Sequence, residues 1–213
     1  MIKAIIFDVD GVLVDSVKIV VEAYQKTAEK LGLKIPSSQE VLDLLGKPLE
    51  EIAIILWPNT DHELYINEYR KLFMDKKLTI PSIKGAVDTV KQLKKLGFKL
   101  GIITGKIMFF TEKHLKESGF NIDWFETIGS FEMTRKHKPN PEPLFYVIDK
   151  LGVKPEETLY VGDAKLDYEC AKNAKVEYIA VLTGCLNRKE VNKLGVKNII
   201  NSVADLPEFL GLK

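Results

Sequence analysis

Arginine is scarce in this chain: Arg70, Arg135 and Arg188 are the only three among 31 basic residues, set against 30 acidic ones. A formal charge of +1 and so few guanidinium groups exclude nucleic acid as the main partner, because phosphate and base-edge readers favour arginine on a strongly basic surface. Cysteine is scarcer still. Cys170 and Cys185 are the only two, too few for a disulfide framework or a zinc site, and are expected to be fillers in a reducing compartment. No apolar run approaches the roughly 20 residues of a membrane helix, and the opening residues meet Asp8 too early for a secretion signal. A cytoplasmic location without membrane partners is therefore expected. The three histidines (His62, His114, His137) are scattered too widely for a metal site, and each is expected at the surface. Trp57 and Trp124 are expected to pack. Internal repeats and low-complexity stretches are also missing. What remains is a 213-residue chain, 46% apolar and 29% charged, able to bury a sizeable core and too apolar for disorder.

Short apolar runs rich in β-branched residues recur along it. Lys3 to Phe7, Lys99 to Ile103, Thr158 to Val161 and Glu177 to Val181 read as buried parallel strands. Glu126 to Gly129 is a weaker one, and Asn198 to Ile200 adds an edge. Helical patterns lie between them, at Val87 to Leu96, Phe109 to Ser118, Glu142 to Leu151 and Tyr168 to Ala174. Gly97, Gly119 and Gly152 stop the first three. This alternation predicts an α/β fold with a doubly wound, Rossmann-like parallel sheet. From Ser16 to Thr79 the pattern is helical throughout: Val17 to Leu31, Glu40 to Leu45, Leu49 to Trp57 and Asp61 to Leu78. That stretch is too long for one crossover, so residues 16–81 are expected to form an inserted α-helical cap on a core of residues 1–15 and 82–213. Pro81 and Gly85 mark the return hinge.

Two of the strands end in acids. The first runs into Asp8-Val9-Asp10-Gly11, and the fourth into Gly162-Asp163, with Asp167 four residues on. The carboxyl ends of strands line the ligand crevice of an open α/β sheet, so Asp8, Asp10 and Asp163 are expected on one edge. Like charges there raise a pKa or require a cation, and oxygen ligands select a hard one, Mg²⁺ where a phosphate shares the site. Thr104-Gly105 at the end of the second strand offers a hydroxyl and an approachable backbone N–H to an anion. Lys138, held extended by the prolines that follow it in Lys138-Pro139-Asn140-Pro141-Glu142-Pro143, reaches the same edge. Singly, each is an ordinary turn or loop residue. In this order they form a phosphoryl-transfer constellation.

The chain resembles the haloacid dehalogenase-like superfamily over nearly its whole length. Asp8-Val9-Asp10-Gly11-Val12-Leu13-Val14-Asp15-Ser16 is similar to its first motif and Ile103-Thr104-Gly105 to its second. Lys138-Pro139-Asn140-Pro141-Glu142-Pro143 resembles its third, and Gly162-Asp163-Ala164-Lys165-Leu166-Asp167 its fourth. The helical insertion resembles the cap of the subgroup containing phosphoglycolate phosphatases and β-phosphoglucomutases. Gly105 departs from the Asn that many of these carry, removing a side-chain contact near the phosphate.

The resemblance implies a Mg²⁺-dependent phosphatase acting on a small phosphorylated metabolite, phosphoglycolate first, through an aspartyl-phosphate on Asp8. It implies Asp10 as acid and base, Thr104 and Lys138 as phosphoryl donors, and Asp8, Asp163 and the Asp10 carbonyl as metal ligands. Asp167 supports Lys138 or a metal-bound water. Gly11, Gly105 and Lys47, the last in the cap turn Leu45-Gly46-Lys47-Pro48, face the substrate. Asp10 itself argues against dehalogenation, since a halide leaves without a proton. A hexose-phosphate mutase is disfavoured because no His follows the first motif in Ser16 to Glu22. Pyrophosphatase, mutase, and a non-enzymatic phosphoacceptor or idle module on the same fold stay as alternatives, and monomer and homodimer are both open.

Overall fold

The computed structural model describes residues 1–75 and 78–212. The first strand, β1 (Ala4–Phe7), is followed by four helices: α1 (Val17–Lys30), α2 (Ser38–Leu42), α3 (Leu49–Leu56) and α4 (His62–Met74). Strands and helices then alternate through α5 (Ala86–Lys95), β2 (Lys99–Ile103), α6 (Met108–Glu117), β3 (Thr127–Gly129), α7 (Glu142–Leu151), β4 (Thr158–Gly162), α8 (Lys165–Ala174) and β5 (Glu177–Val181). The chain closes with α9 (Arg188–Leu194), β6 (Asn198–Ile200) and α10 (Leu206–Phe209).

All strand pairs are parallel, in the order β3-β2-β1-β4-β5-β6. This is the doubly wound α/β architecture, and the order reverses between β1 and β4, where ligand crevices form. Alternation along the strands splits the core in two. Ile5, Phe7, Leu100, Ile102 and Val161 face α5 and the inserted helices, whereas Ala4, Ile6, Ile103 and Tyr160 face α7 and α8.

The inserted helices are held by aromatic packing. Tyr65, Tyr69 and Phe73 recur every fourth residue on one face of α4. Tyr24 packs at a tilt against Tyr69 with ring centroids 4.7 Å apart, and Trp57 lies 4.4 Å from Tyr65. Trp57 is thus a packing residue, and its indole N–H donates to the Lys34 carbonyl. The helix expected to reach Leu78 stops at Met74, with Asp75 already extended at ψ 120°. Phe73 is the last of its aromatic stripe, and Met74 after it is already exposed. Lys76 and Lys77, on which that expectation also fell, lie outside the described residues. The second inserted helix begins earlier than expected, at Ser38, because Ser37 and Glu40 form a capping box in which each accepts the other's backbone N–H. Two connecting strands tie the insertion to the sheet. The Asp15 N–H donates to the Pro81 carbonyl at 2.8 Å, the Ile83 N–H donates to the Leu13 carbonyl at 2.9 Å, and Val14 and Ser82 pair antiparallel.

Candidate active site

Strand pairing sets the first acids. Phe7 is level with Val161 on β4, and the Asp8 N–H extends the ladder by donating to the Val161 carbonyl at 2.9 Å. Asp8 and Asp163 therefore emerge side by side where the strand order reverses. The Asp163 carboxylate accepts the Cys185 N–H at 2.8 Å. Gly184 beside it is required by space, since a Cβ there would lie 1.8 Å from the Asp163 Oδ2.

Asp167 sits in the first turn of α8, one carboxylate oxygen accepting the Asp163 and Ala164 N–H groups at 3.2 and 3.0 Å. Its other oxygen accepts from the Tyr160 hydroxyl at 2.6 Å and the Lys138 ammonium at 2.7 Å. Lys138 also lies 3.1 Å from Asp8. With its hydrogen-bonding capacity taken up in this way, Asp167 is arranged to orient Lys138. Among the described residues, Asp8, Asp163 and Asp167 bring carboxylate oxygens within 4.8 Å of one another.

Burial pushes the Asp8 carboxyl up to about 7, with Lys138 opposing and Asp167 and Asp10 reinforcing the rise. Burial likewise raises Asp163 well above the carboxylate range, and Asp167 and Asp8 add to it. Burial works against the charge of Lys138, but Asp167 and Asp8 outweigh it and hold the lysine above its ordinary value. Three buried acids against one buried cation leave the cluster short of positive charge. Its all-oxygen, crowded donor set suits a hard divalent cation.

Asp10 points elsewhere. Its carboxylate accepts from the Ser16 hydroxyl and the Lys106 ammonium. Burial would raise it, but Lys106 and the Ser16 hydrogen bond bring it below the usual carboxylate range. The Thr104 N–H continues the sheet to the Gly129 carbonyl at 3.0 Å, and its hydroxyl accepts the Lys106 N–H at 3.2 Å, leaving the hydroxyl proton free to donate.

Asp8, Asp10, Thr104, Gly105, Lys47 and Asp163 all line one cavity of about 80 Å³ between the sheet edge and the inserted helices, room for several water-sized groups. Lys47 enters this wall paired with Glu51 at 3.1 Å, and Arg70 paired with Glu50 at 2.6 Å. Gly105 has an unexpected reason to be glycine: a Cβ there would come within 2.8 Å of the Lys47 carbonyl oxygen, so the inserted loop rests on it. Gly11 is not in the wall. It turns at φ +71°, and a Cβ on it would lie 2.5 Å from the Asp163 Oδ2, so it makes room for that acid.

The surface position expected for His114 is wrong. It is 1% exposed, because α6 turns Phe110 and His114, one helical turn apart, toward the inserted helices. Lys106, Arg70, Gly184 and His114 escaped the sequence reading. Only Lys106 carried a signal there, by its place directly after Thr104-Gly105.

A doubly wound sheet with buried carboxylates and a lysine where the strand order reverses, roofed by inserted helices, defines an α/β enzyme of the hydrolase kind. The chain belongs to the haloacid dehalogenase-like hydrolase family, whose profile matches residues 5–181. It is 31% identical over 215 residues to the pyrophosphatase PpaX of Halalkalibacterium halodurans, covering 100% of this chain and 98% of that protein. Phosphoglycolate phosphatase of Aquifex aeolicus is 28% identical over 183 residues, 85% of each chain. In fold it resembles a hydrolase from Pseudomonas syringae (TM-score 0.88, 23% identity, 98% of each chain). It likewise resembles β-phosphoglucomutase from Clostridium difficile (TM-score 0.81, 21% identity, 99% of this chain and 96% of that one). No helix among the described residues is long and apolar enough to cross a membrane.

Proposed function

We propose that the protein is a Mg²⁺-dependent phosphatase of small phosphomonoesters, with residues 16–81 acting as a cap over the site and phosphoglycolate the first substrate to try. The observation that carries this is the meeting of Lys138 with Asp8, 3.1 Å apart, inside a cluster of three carboxylates. A buried lysine beside a nucleophile-grade carboxylate suits the charge of a transferring phosphoryl group.

In this reading an Asp8 oxygen attacks phosphorus and the ester oxygen departs with a proton from Asp10, leaving an aspartyl-phosphate. Asp10 then takes a proton from water, which attacks the phosphorus, frees phosphate and restores Asp8. Lys106, now paired with Asp10, swings to a phosphoryl oxygen and frees Asp10 to carry that proton. Thr104 and Lys138 donate to the equatorial oxygens as charge spreads onto them. Asp8, Asp163 and the Asp10 backbone carbonyl are the groups that would hold Mg²⁺, which when bound neutralises the phosphoryl charge.

Phosphate release from p-nitrophenyl phosphate, phosphoglycolate and pyrophosphate, with Mg²⁺ and with EDTA, tests this. Turnover is expected with Mg²⁺ only, and Asp8→Asn is expected to lower kcat by more than about a thousandfold. Activity retained by Asp8→Asn removes Asp8 as the nucleophile. Activation by a sugar bisphosphate supports the mutase alternative instead.

A further inference from the structure

His114 is a buried polar side chain with nothing to bond to: neither ring nitrogen has a hydrogen-bond partner among the described residues. Its ring lies in the wall of the same cavity as Asp8 and Asp10, 5.5 Å from the Phe73 ring of the inserted α4 and 5.9 Å from Phe110. A buried donor left unpaired is costly, and native structures place few of them without a use.

The lining is of two kinds. Asp8, Asp10, Thr104 and Lys106 contribute charged and hydroxyl groups, whereas Tyr24, Tyr69, Phe73 and Phe110 contribute rings packed on one another. His114 packs on Phe73 and Phe110, and neither of its ring nitrogens has a partner among the described residues. Burial and the neighbouring Lys106 and Lys113 press its imidazole down to about 3, against a pull from Asp10. The ring is therefore neutral at working pH and presents one N–H donor and one nitrogen acceptor. The wall's cations are meanwhile engaged, Lys47 with Glu51, Arg70 with Glu50 and Lys106 with Asp10.

We propose that His114 is a specificity-determining residue, hydrogen-bonding an oxygen at the end of the leaving group remote from phosphorus. The preferred substrate class is then a small phosphomonoester of a hydroxy acid or a diol, turned over faster than one of an alkyl alcohol of equal size. This inference rests on the phosphatase reading above. It explains why a lone imidazole sits unpartnered in an aromatic recess: a ligand oxygen is the partner missing from the chain. An apolar leaving group of equal size would fill the recess but leave the imidazole unpaired, and a site built to bond an oxygen rejects the analogue that lacks it.

The test is a pair of nearly isosteric esters, 2-hydroxyethyl phosphate and n-propyl phosphate, which differ in a terminal hydroxyl against a methyl. Steady-state kinetics with Mg²⁺ are run on the full chain, on His114→Leu and on His114→Asn. The wild-type protein is expected to favour the hydroxyl ester in kcat/KM by about tenfold or more. In His114→Leu the ratio is expected to fall to about one, and His114→Asn, which keeps an amide donor, to recover part of it. A merely structural role would lower both rates together and leave their ratio alone. A wild-type ratio at or below one overturns the inference without any variant, as does an unchanged ratio in His114→Leu. If His114→Leu does not fold, His114→Asn and the wild-type ratio decide. Hydrolysis of both esters without discrimination sinks the role of His114 while the phosphatase reading stands; no hydrolysis of these esters or of p-nitrophenyl phosphate sinks that reading itself.

Discussion

Asp8 and Asp10 stand two residues apart and settle on opposite sides of the ordinary carboxylate range. The difference is in their company. Asp8 shares a buried space with Asp163 and Asp167, whereas Asp10 shares a partly open one with Lys106 and Ser16. Lys138 is the counter-charge of the first group, and it is buried together with Asp8 and Asp167. Removing one partner of such a pair leaves an uncompensated charge. Lys138→Met is therefore expected to cost about 3 kcal/mol or more of unfolding free energy, measured by urea titration in EDTA. Adding Asp167→Asn to it should recover part of that loss, because the neutral amide no longer needs the ammonium. A Lys138→Met protein as stable as wild type would show that the pair is not under electrostatic load. Lys138, Asp163 and the other strand-end acids were legible because spacing along the chain places them there. His114 and Gly184 were not. Their importance comes from what the fold carries up to them, Phe73 in one case and the Asp163 carboxylate in the other, and no local pattern records that.

Among the elements, the turn between α2 and α3 is set by a single hydrogen atom. Gly46 and Lys47 lie so close to Gly105 that a Cβ would meet the Lys47 carbonyl oxygen at 2.8 Å and its carbonyl carbon at 2.9 Å. Backbone conformation does not explain this glycine, since its φ lies outside the left-handed region; close approach does. Gly105→Ala is expected to push the turn off the cavity mouth at an overpacking cost of roughly 1–3 kcal/mol. On the proposed function this turn closes over substrate, so the expected readout is a rise in KM of about tenfold together with a fall in Tm of roughly 2–12 °C, followed by phosphate release and thermal unfolding. An unchanged KM would mean that the turn does not close over substrate. From the sequence, Gly105 read as a lost side-chain contact. Its role as a seat depends on a loop some 60 residues earlier in the chain. The strands and the helices α5, α6 and α7, by contrast, were readable to within about a residue, because buried parallel strands and glycine-stopped helices write their limits locally. By comparison, α8 begins three residues before Tyr168, and the short α9 and α10 were not anticipated. The inserted helices were also less readable: α4 ends where its aromatic stripe ends, and α2 begins at a capping box.

On the scale of the whole molecule, the acid cluster is assembled from residues 8, 138, 163 and 167, so whatever binds there binds only the folded chain and stabilises it. Without a metal, the cluster relieves its repulsion by holding a proton. Asp8, raised from 3.8 to about 7 by burial, has a folded pKa above its unfolded one. Its contribution to stability is thus fully present below about pH 4 and is lost as the pH rises through about 7. A divalent cation bound as proposed would take over the proton's task and have to displace it, so its binding is expected to strengthen as pH rises. At one hundred times its dissociation constant, Mg²⁺ should add about 2.7 kcal/mol, worth roughly 5–10 °C in Tm for a chain of this size. Thermal unfolding in Mg²⁺ and in EDTA is expected to show a gap that is small at pH 5 and widens toward pH 8. Asp163→Asn, which removes one carboxylate from the cluster, should narrow that gap at every pH. A gap that is the same at pH 5 and pH 8, or one that Asp163→Asn leaves intact, would place the stabilising cation somewhere other than between these acids.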